Sequence, residues 1–324
     1  MLEAKGRRTL PPSGIRSRLM LEVASELVGM AGWPQRQARV TLRGQGTEEW
    51  GTTLFASDSP EAIREVASHD VQFALINPGA ILTLALRGTG PFKEPVPVRA
   101  ITVIQSFDQL VFAVSDKSGL TSIEDIKQQR FPLKLSVRGQ RDHGVHIVLA
   151  EVLAAAGFSL DDIRAWGGEV RYDAGRPNDN PDRLGAVERG EIDAVFDESA
   201  ASWTDRAVEL GMRVLPIKGA VLEQLEETGF RRSTLSKAWY PGLESDVPTL
   251  DYSGFIVYTH ADVPDDVVRG ICVALERRKD RIPPDNGEPP LPLDQMCKDT
   301  WDGPLGIPLH PAAEQFWGEQ GYLS

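Results

Sequence analysis

A strand, a polar turn and an amphipathic helix follow one another between Leu133 and Gly157, and this unit constrains the fold more than any other stretch. Leu135 and Val137 continue the alternation that Leu133 begins, as in a β-strand. Apolar residues then recur at helical spacing from Val145, and glycine is typical directly after a helix end. A strand that leads straight into a helix predicts a β–α unit of an α/β fold.

Seven residues without a large apolar side chain, 138–144, connect this strand to its helix. The free N–H groups and the positive dipole end of such a helix point above the edge of the sheet. Arg138 and Arg141 lie beside that end, and guanidinium groups bind carboxylates and phosphates well. The turn therefore predicts a site for an anionic group, and a solvated turn without a function is the alternative.

The alternation of strand and helix runs along most of the chain. Ser59-Pro60-Glu61 is typical of a helix start, and Val71–Ile76 is an apolar run typical of a strand covered on both faces. Ile192–Phe196 has the same character. The pattern predicts a doubly wound α/β fold, in which ligands bind at turns beyond the carboxyl ends of strands. Those turns are 44–47, 77–79, 138–143 and 197–199.

The chain of 324 residues has a formal net charge of −12 and a sequence pI of about 5.0. Nucleic acid would meet a repelling surface, so we expect no nucleic-acid partner. A locally positive pocket can still bind a small anionic ligand. Cys272 and Cys297 show no metal-ligand spacing, so we expect two buried thiols rather than a disulfide or a metal site. No motif for another metal site or for a cofactor is singled out, so we expect neither.

The N-terminal segment resembles neither a membrane span nor a signal peptide, because no apolar run approaches the ~18 residues of a span. Leu19, Val23 and Leu27 are spaced for one face of a helix, and Glu22 and Glu26 interrupt the apolar segment. We therefore expect a helix that belongs to the folded protein. The expected location is cytoplasmic for the chain as it stands, and periplasmic if a leader has been removed.

Seven segments carry a resemblance to a known family: SPEAIREVASHDVQFALIN (59–77), RGTGPF (87–92), LVFAVSDKSGLTSIEDIK (110–127), the unit ending in VLAAAGF, LGAVERGEIDAVFDE (184–198), WYPG followed by DVPTL (239–250), and GIPLHPAAEQFWGEQGY (306–322). The last is the most specific, because a terminal P-L-H-P-x-A motif followed by aromatic residues is a family hallmark. Together, and in this order, they resemble the TAXI family of solute-binding receptors of TRAP transporters.

The resemblance implies the two-lobed α/β fold of type II periplasmic binding proteins, with a ligand cleft between the lobes. Lobe 1 would comprise residues 1–108 and 249–324, and lobe 2 residues 109–248. Membrane transporter subunits would be partners if the protein is exported. Two features depart from the family: its opening strand with a T-G-x-x-x-G-x-Y turn is either missing or rebuilt, and the 138–143 turn is charged where the family has Gly, Ser and Thr.

The candidate site residues come from these turns and from the family's Y-P-G segment. Asp142 is expected to cap the helix that follows it, and His310 to begin the last helix. His143 and His146 could share a helix face and a metal ion, but no strict ligand motif is present, so no metal is predicted there. His143 stays open as a general acid or base. The predicted ligand-binding residues are Gly46, Thr47, Asn77, Pro78, Arg138, Gln140, Arg141, His143, Glu198, Trp203 and Tyr240.

Three functions fit this sequence. The first is a receptor that binds a small carboxylate in the cleft. The second is a cytoplasmic enzyme on the same fold, for example a decarboxylase or lyase of an aromatic or dicarboxylic acid, related to the 4,5-dihydroxyphthalate decarboxylases. The third is a soluble sensor. The sequence has neither a G-x-S-x-G motif nor a P-loop, which favours binding over catalysis, and no catalytic residue is assigned.

Overall fold

The computed structural model describes residues 15–30, 37–43, 51–57, 59–178, 180–282 and 296–323. The chain divides into two compact units, Met1–Arg36 and Gln37–Ser324. The first unit contains α1 (Ile15–Gly29), the helix predicted from the spacing of its leucines and valine. Leu19, Val23 and Leu27 are exposed, so the expectation that this helix packs as part of the folded protein is not confirmed. No helix in the described ranges is both long and apolar enough to cross a membrane.

The larger unit begins with four strands and two helices. They are β1 (Ala38–Arg43), β2 (Gly51–Ala56), α2 (Glu61–Ala67), β3 (Phe73–Ile76), α3 (Gly79–Arg87) and β4 (Val98–Ile104). β1 and β2 form an antiparallel hairpin, and β2 runs parallel to β3. The apolar run predicted as a buried strand is β3, whose Phe73, Ala74 and Ile76 are buried.

A second five-stranded sheet follows, with strand order β7-β6-β8-β5-β9. Its strands are β5 (Val111–Ser115), β6 (Lys134–Arg138), β7 (Glu169–Asp173), β8 (Ala194–Asp197) and β9 (Met212–Val214). The helices between and around them are α4 (Ile123–Gln128), α5 (Val145–Ala155), α6 (Leu160–Ala165), α7 (Leu184–Glu188) and α8 (Ala200–Glu209). β6 lies between β7 and β8 and is parallel to both.

The chain then returns to the first sheet. α9 (Gly219–Thr228) precedes an antiparallel pair, β10 (Arg232–Leu235) and β11 (Val247–Leu250). Next, β12 (Phe255–His260) inserts between β3 and β4, antiparallel to both, to give the order β1-β2-β3-β12-β4. α10 (Asp265–Arg278) and α11 (Pro311–Glu319) pack against each other at the end of the chain.

The two connections between the sheets lie side by side. The N–H of Leu110 donates to Leu250 O at 3.1 Å, and that of Tyr252 donates to Asp108 O at 3.0 Å. The structure confirms the predicted α/β fold with two lobes. The lobe boundaries at 108/109 and 248/249 fall at these connections, and the division of the chain there stays a prediction.

Two local predictions outside the site are confirmed. His310 is the residue at which α11 begins, and its Nδ1 accepts a hydrogen bond from the N–H of Ala312 at 3.3 Å. Cys272 and Cys297 are both buried, as expected of apolar thiols in a core.

Candidate functional site

A cavity of about 350 Å³ lies between segments of the two lobes. Ser59, Glu61 and Arg64, at the start of α2, line it from lobe 1. Five residues of the turn before α5 and of that helix line it from lobe 2: Arg141, Asp142, His143, His146 and Ile147. A cavity of this volume suits a small ligand. The second half of the 138–143 turn therefore contributes to the cavity. That this turn binds a ligand stays a prediction.

The turn is shaped by one glycine and by hydrogen bonds that join its two ends to β7 and to α5. Gly139 donates to Asp173 O at 2.8 Å, and a Cβ at this position would lie 3.0 Å from the backbone of Asp173 and Ala174. Glycine therefore allows the close approach of the turn to β7, and a larger residue would force the backbone to shift by a few tenths of an ångström. At the other end of the turn, the N–H of Val145 donates to Nδ1 of His143 at 3.1 Å.

The prediction that Asp142 caps α5 is wrong. The residue before the helix is Gly144, which has no side chain that could accept a capping hydrogen bond. The imidazole of His143 reaches the first helical N–H instead, because it is one residue closer to the helix than Asp142. Asp142 is exposed at the rim of the cavity.

The start of α5 packs directly on lobe 1. A Cβ on Gly144 would lie 2.8 Å from Cδ1 of Ile81 and 3.4 Å from Asn77 O. Asn77 is tied in turn to the return connection, since its Nδ2 donates to Tyr252 O at 3.1 Å and to Gly254 O at 3.3 Å. The turns at 77–79 and 138–143 therefore face each other, as predicted. Gly46 and Thr47 of the third turn lie outside the described residues.

Arg138 is enclosed by carboxylates of its own lobe. Its Nε donates to Asp197 at 3.1 Å, its Nη2 donates to the same carboxylate at 2.7 Å, and Nη2 also contacts Glu198. Arg183, which is fully buried, binds the second oxygen of Asp197. Burial alone would raise the pKa of Asp197, but the charges and hydrogen bonds of the two arginines lower it.

A third carboxyl group joins this cluster from the connection between the lobes. Burial, followed by the charge of Glu198 and a hydrogen bond to it, raises the pKa of Asp108 well above its usual range. The raised pKa favours the protonated form of Asp108, which reduces the negative charge in the cluster of Arg138, Arg183, Asp197, Glu198 and Asp108. We conclude that Arg138 and Glu198, both predicted ligand-binding residues, form an ion pair with each other.

Arg141 is in a different situation. It is exposed at the cavity, and its guanidinium carbon lies 3.1 Å from the centroid of the Tyr172 ring, a cation–π contact. Arg64 is exposed on the opposite wall. In the part of the chain that the structure describes, no carboxylate lies within ion-pair distance of either guanidinium. Two cations thus face one cavity from two lobes.

The two histidines of the cavity wall are engaged with the turn. His143 accepts the N–H of Val145, and Nε2 of His146 lies 2.9 Å from the carbonyl oxygen of Gln140, a predicted ligand-binding residue. Burial lowers the pKa of His146, so its imidazole is neutral at pH 7, and Nε2 then donates to that oxygen. Both rings therefore brace the turn that carries Arg141.

Three other predicted residues lie in the packed interior. Trp203 is 1% exposed, and its Nε1 donates to Glu198 O at 2.9 Å. Tyr240 is 4% exposed, and its hydroxyl donates to Oε1 of Gln109 at 3.0 Å. Pro78 is buried at the start of α3, after a cis peptide bond. None of the three lines the cavity described above, because each side chain packs among residues of its own lobe. Contact of these residues with a ligand stays a prediction.

Sequence reasoning missed the lobe 1 wall of the cavity. The sequence pattern predicts Ser59 and Glu61 only as part of a helix start and singles out neither Arg64 nor Phe92, although all four line the cavity. A signal was present, because α2 follows β2 and a β–α turn opens toward the same edge as the 77–79 turn. Arg183 and Tyr252 were missed as well, and neither belongs to a motif.

Comparison with known proteins gives the family and several structural relatives. Residues 52–321 match the NMT1-like family. The alkanesulfonate-binding protein SsuA from Xanthomonas axonopodis pv. citri, solved with MOPS, is 11% identical with a TM-score of 0.30, over 68% of this chain and 61% of that chain. The periplasmic aliphatic sulphonate binding protein SsuA from Escherichia coli is 15% identical with a TM-score of 0.33, over 67% and 60%.

A third relative is the glycine/betaine/L-proline-binding protein ProX from Borrelia burgdorferi. It is 10% identical with a TM-score of 0.37, and the match covers 66% of each chain. The matches thus span about three fifths of the length of the two sulfonate-binding relatives.

Proposed function

The chain belongs to the NMT1-like family, and on that premise we propose that it is a solute-binding protein that holds a small anionic ligand in the cavity between its lobes. A carboxylate is the anion that the resemblance to TAXI receptors implies. If the protein is exported, membrane transporter subunits are the partners to which such a receptor would deliver its ligand.

One observation carries the proposal: Arg64 and Arg141 line opposite walls of the cavity, and neither has a carboxylate partner within ion-pair distance among the described residues. A guanidinium recognises carboxylates and sulfonates through paired N–H donors, and charge-assisted hydrogen bonds are the stronger class. An anion between these two walls would contact both lobes at once. Binding would then hold the lobes together.

The cavity also carries negative charge, from Glu61 and Asp142. A ligand with an ammonium group besides its anionic group would be matched by both kinds of side chain. The proposal is binding without turnover, because His143 and His146 direct ring nitrogens to the backbone of their own turn. A general acid or base has to reach the reacting group instead.

A thermal-unfolding panel tests the proposal. The probes are succinate, ethanesulfonate and taurine, with ethylammonium as the cationic control at matched ionic strength. A ligand that binds the folded state stabilises it by about 2.7 kcal/mol when its concentration is 100 times Kd. We expect at least one anionic probe to raise Tm and ethylammonium to leave it unchanged. A rise in Tm with ethylammonium alone, or no rise with any anion, would overturn the anionic assignment.

A native mass spectrum of the purified protein complements the panel, since it detects a small molecule that copurifies. Recovery of an intact anionic solute supports binding. Conversion of that solute during incubation with the protein would establish an enzyme instead.

A further inference from the structure

Two histidines and an aspartate meet at one end of the first sheet. His69 follows α2, His260 is the last residue of β12, and Asp262 lies two residues further along. One potential ligand atom from each residue lies within 4.8 Å of the other two. We propose that this cluster binds one divalent transition-metal ion, although the sequence alone led us to expect no metal.

The cluster is separate from the cavity between the lobes. β12 runs antiparallel to β3, with Ile256 opposite Ile76 and Thr259 opposite Phe73. β3 ends beside the 77–79 turn, and β12 runs in the opposite direction. β12 therefore starts near that turn, and His260 lies at the other end of the strands. Six residues of strand span roughly 17–20 Å. The metal site therefore does not depend on the proposed ligand site.

A buried hydrogen-bond frame joins the two histidine-bearing segments. The side chain of Gln72 donates to His69 O at 2.8 Å and accepts the N–H of Thr53 at 2.8 Å. Thr259, next to His260, donates its hydroxyl to Gln72 O at 2.7 Å. The imidazole rings of His69 and His260 are held with their centroids 4.2 Å apart. The two nitrogen ligands are therefore brought together without a metal ion.

Asp262 is the third residue of the cluster. Its carboxylate contacts Nδ1 of His260 and lies 3.9 Å from Nε2 of His69. In a tetrahedral site with ligand distances of about 2.1 Å, neighbouring ligand atoms are about 3.4 Å apart. The side chains of His69 and Asp262 are 43% and 67% exposed, so both can rotate by the small amount required. Three protein ligands leave a coordination position for water.

The ligand types select the class of metal. Two imidazoles and one carboxylate suit zinc, cobalt, nickel or copper, whereas magnesium and calcium prefer oxygen ligands alone. The guanidinium of Arg99 lies close enough to His260 to interact with it electrostatically, and its positive charge opposes the binding of a cation there. The imidazole nitrogens therefore have to supply most of the affinity, which again favours a transition metal.

Cobalt binding to the untagged, metal-free protein tests the proposal, because Co²⁺ shows visible absorption that reports its ligands. We expect one equivalent of Co²⁺ to bind and Zn²⁺ to displace it. His69→Asn and Asp262→Asn should each weaken Co²⁺ binding by about 10-fold or more. Asparagine is chosen at position 69 because the backbone there has a φ of 62°, which asparagine tolerates.

Asp266→Asn is the matched control, since Asp266 is an exposed acid four residues beyond Asp262 and outside the cluster. It should bind Co²⁺ like the wild type. Circular dichroism and Tm of each variant confirm that the fold is retained. Absence of Co²⁺ absorption with the wild type would overturn the proposal. So would wild-type Co²⁺ affinity in both His69→Asn and Asp262→Asn. Neither result bears on the anionic ligand.

Discussion

Arg138 and Asp197 end two neighbouring parallel strands, β6 and β8, and the guanidinium donates to the carboxylate at 2.7 Å. Asp197 is fully buried and also binds Arg183 on its other oxygen. This arrangement gives Arg138 a structural role before any role in ligand binding. Its direct contact with a ligand stays a prediction.

Arg138→Met should destabilise the fold. The substitution leaves the buried carboxylate of Asp197 with Arg183 alone and removes the partner of Glu198. Removing one partner of a buried ion pair costs about 3–5 kcal/mol. Urea denaturation followed by circular dichroism measures the change in the free energy of unfolding.

Arg164→Gln is the control for that measurement. Arg164 pairs with Asp161 on the surface, where the two side chains are 42% and 92% exposed. Such a pair contributes at most about 1 kcal/mol. An equal decrease in the free energy of unfolding for Arg138→Met and Arg164→Gln would contradict a buried network of ion pairs around Asp197.

Loss of the hydroxyl group should affect the free energy of unfolding differently at two buried tyrosines. Within the described residues, the Tyr252 hydroxyl has no hydrogen-bond partner, whereas the Tyr240 hydroxyl donates to Gln109. Tyr252→Phe should therefore leave the free energy of unfolding unchanged or raise it. Tyr240→Phe should lower it by about 1–2 kcal/mol, because Gln109 is also buried. A larger loss in Tyr252→Phe than in Tyr240→Phe would show that the Tyr252 hydroxyl is satisfied.

Asp251 should make stability depend on pH. Burial raises the pKa of this carboxyl group to about 6 from 3.8. Between these two values the folded state binds more protons than the unfolded state, so stability falls as pH rises. The loss amounts to about 3 kcal/mol once pH exceeds the folded pKa.

Asp251→Asn removes that titration while keeping an oxygen that can accept the N–H of Ser253. The stability of this variant relative to the wild type should therefore increase from pH 4 to pH 7. Denaturation curves of both proteins across this range provide the measurement. A constant difference would mean that Asp251 has an ordinary pKa.

Two glycines should differ in their tolerance of alanine. A Cβ on Gly139 would lie 3.0 Å from the backbone of β7, whereas a Cβ on Gly270, inside α10, would meet no atom within 4 Å. Gly139→Ala should lower Tm because the turn has to shift. Gly270→Ala should stabilise the helix by about 0.5–1 kcal/mol. The same scanning calorimetry on both variants tests the pair, and a lower Tm for Gly270→Ala would be inconsistent with open space there.

The strands and turns of the fold could be predicted because their signals are local. The apolar run of β3 and the spacing of residues after Val145 define a strand and a helix without knowledge of the rest of the chain. His310-Pro311 likewise marks the start of α11 through its own neighbours. The alternation of such units was sufficient to predict the α/β fold and the position of the 138–143 turn.

The partners of Arg138 could not be predicted, because they depend on strand order. Asp197 lies 59 residues away and becomes a neighbour only because β8 pairs with β6. Arg183 reaches the same carboxylate from the loop before α7, which carries no motif. The capping residue of α5 was misassigned for a related reason, since composition does not show which side chain reaches the first N–H.

Isothermal titration of Arg64→Gln and Arg141→Gln with the strongest anion from the thermal panel tests the central claim most directly. The account predicts that each variant binds about 10- to 100-fold more weakly than the wild type, since a hydrogen bond to a charged group contributes about 1.5–3 kcal/mol. Arg206→Gln, an exposed arginine on α8, should bind normally. Wild-type affinity in both Arg64→Gln and Arg141→Gln would contradict an anion held between the two lobes.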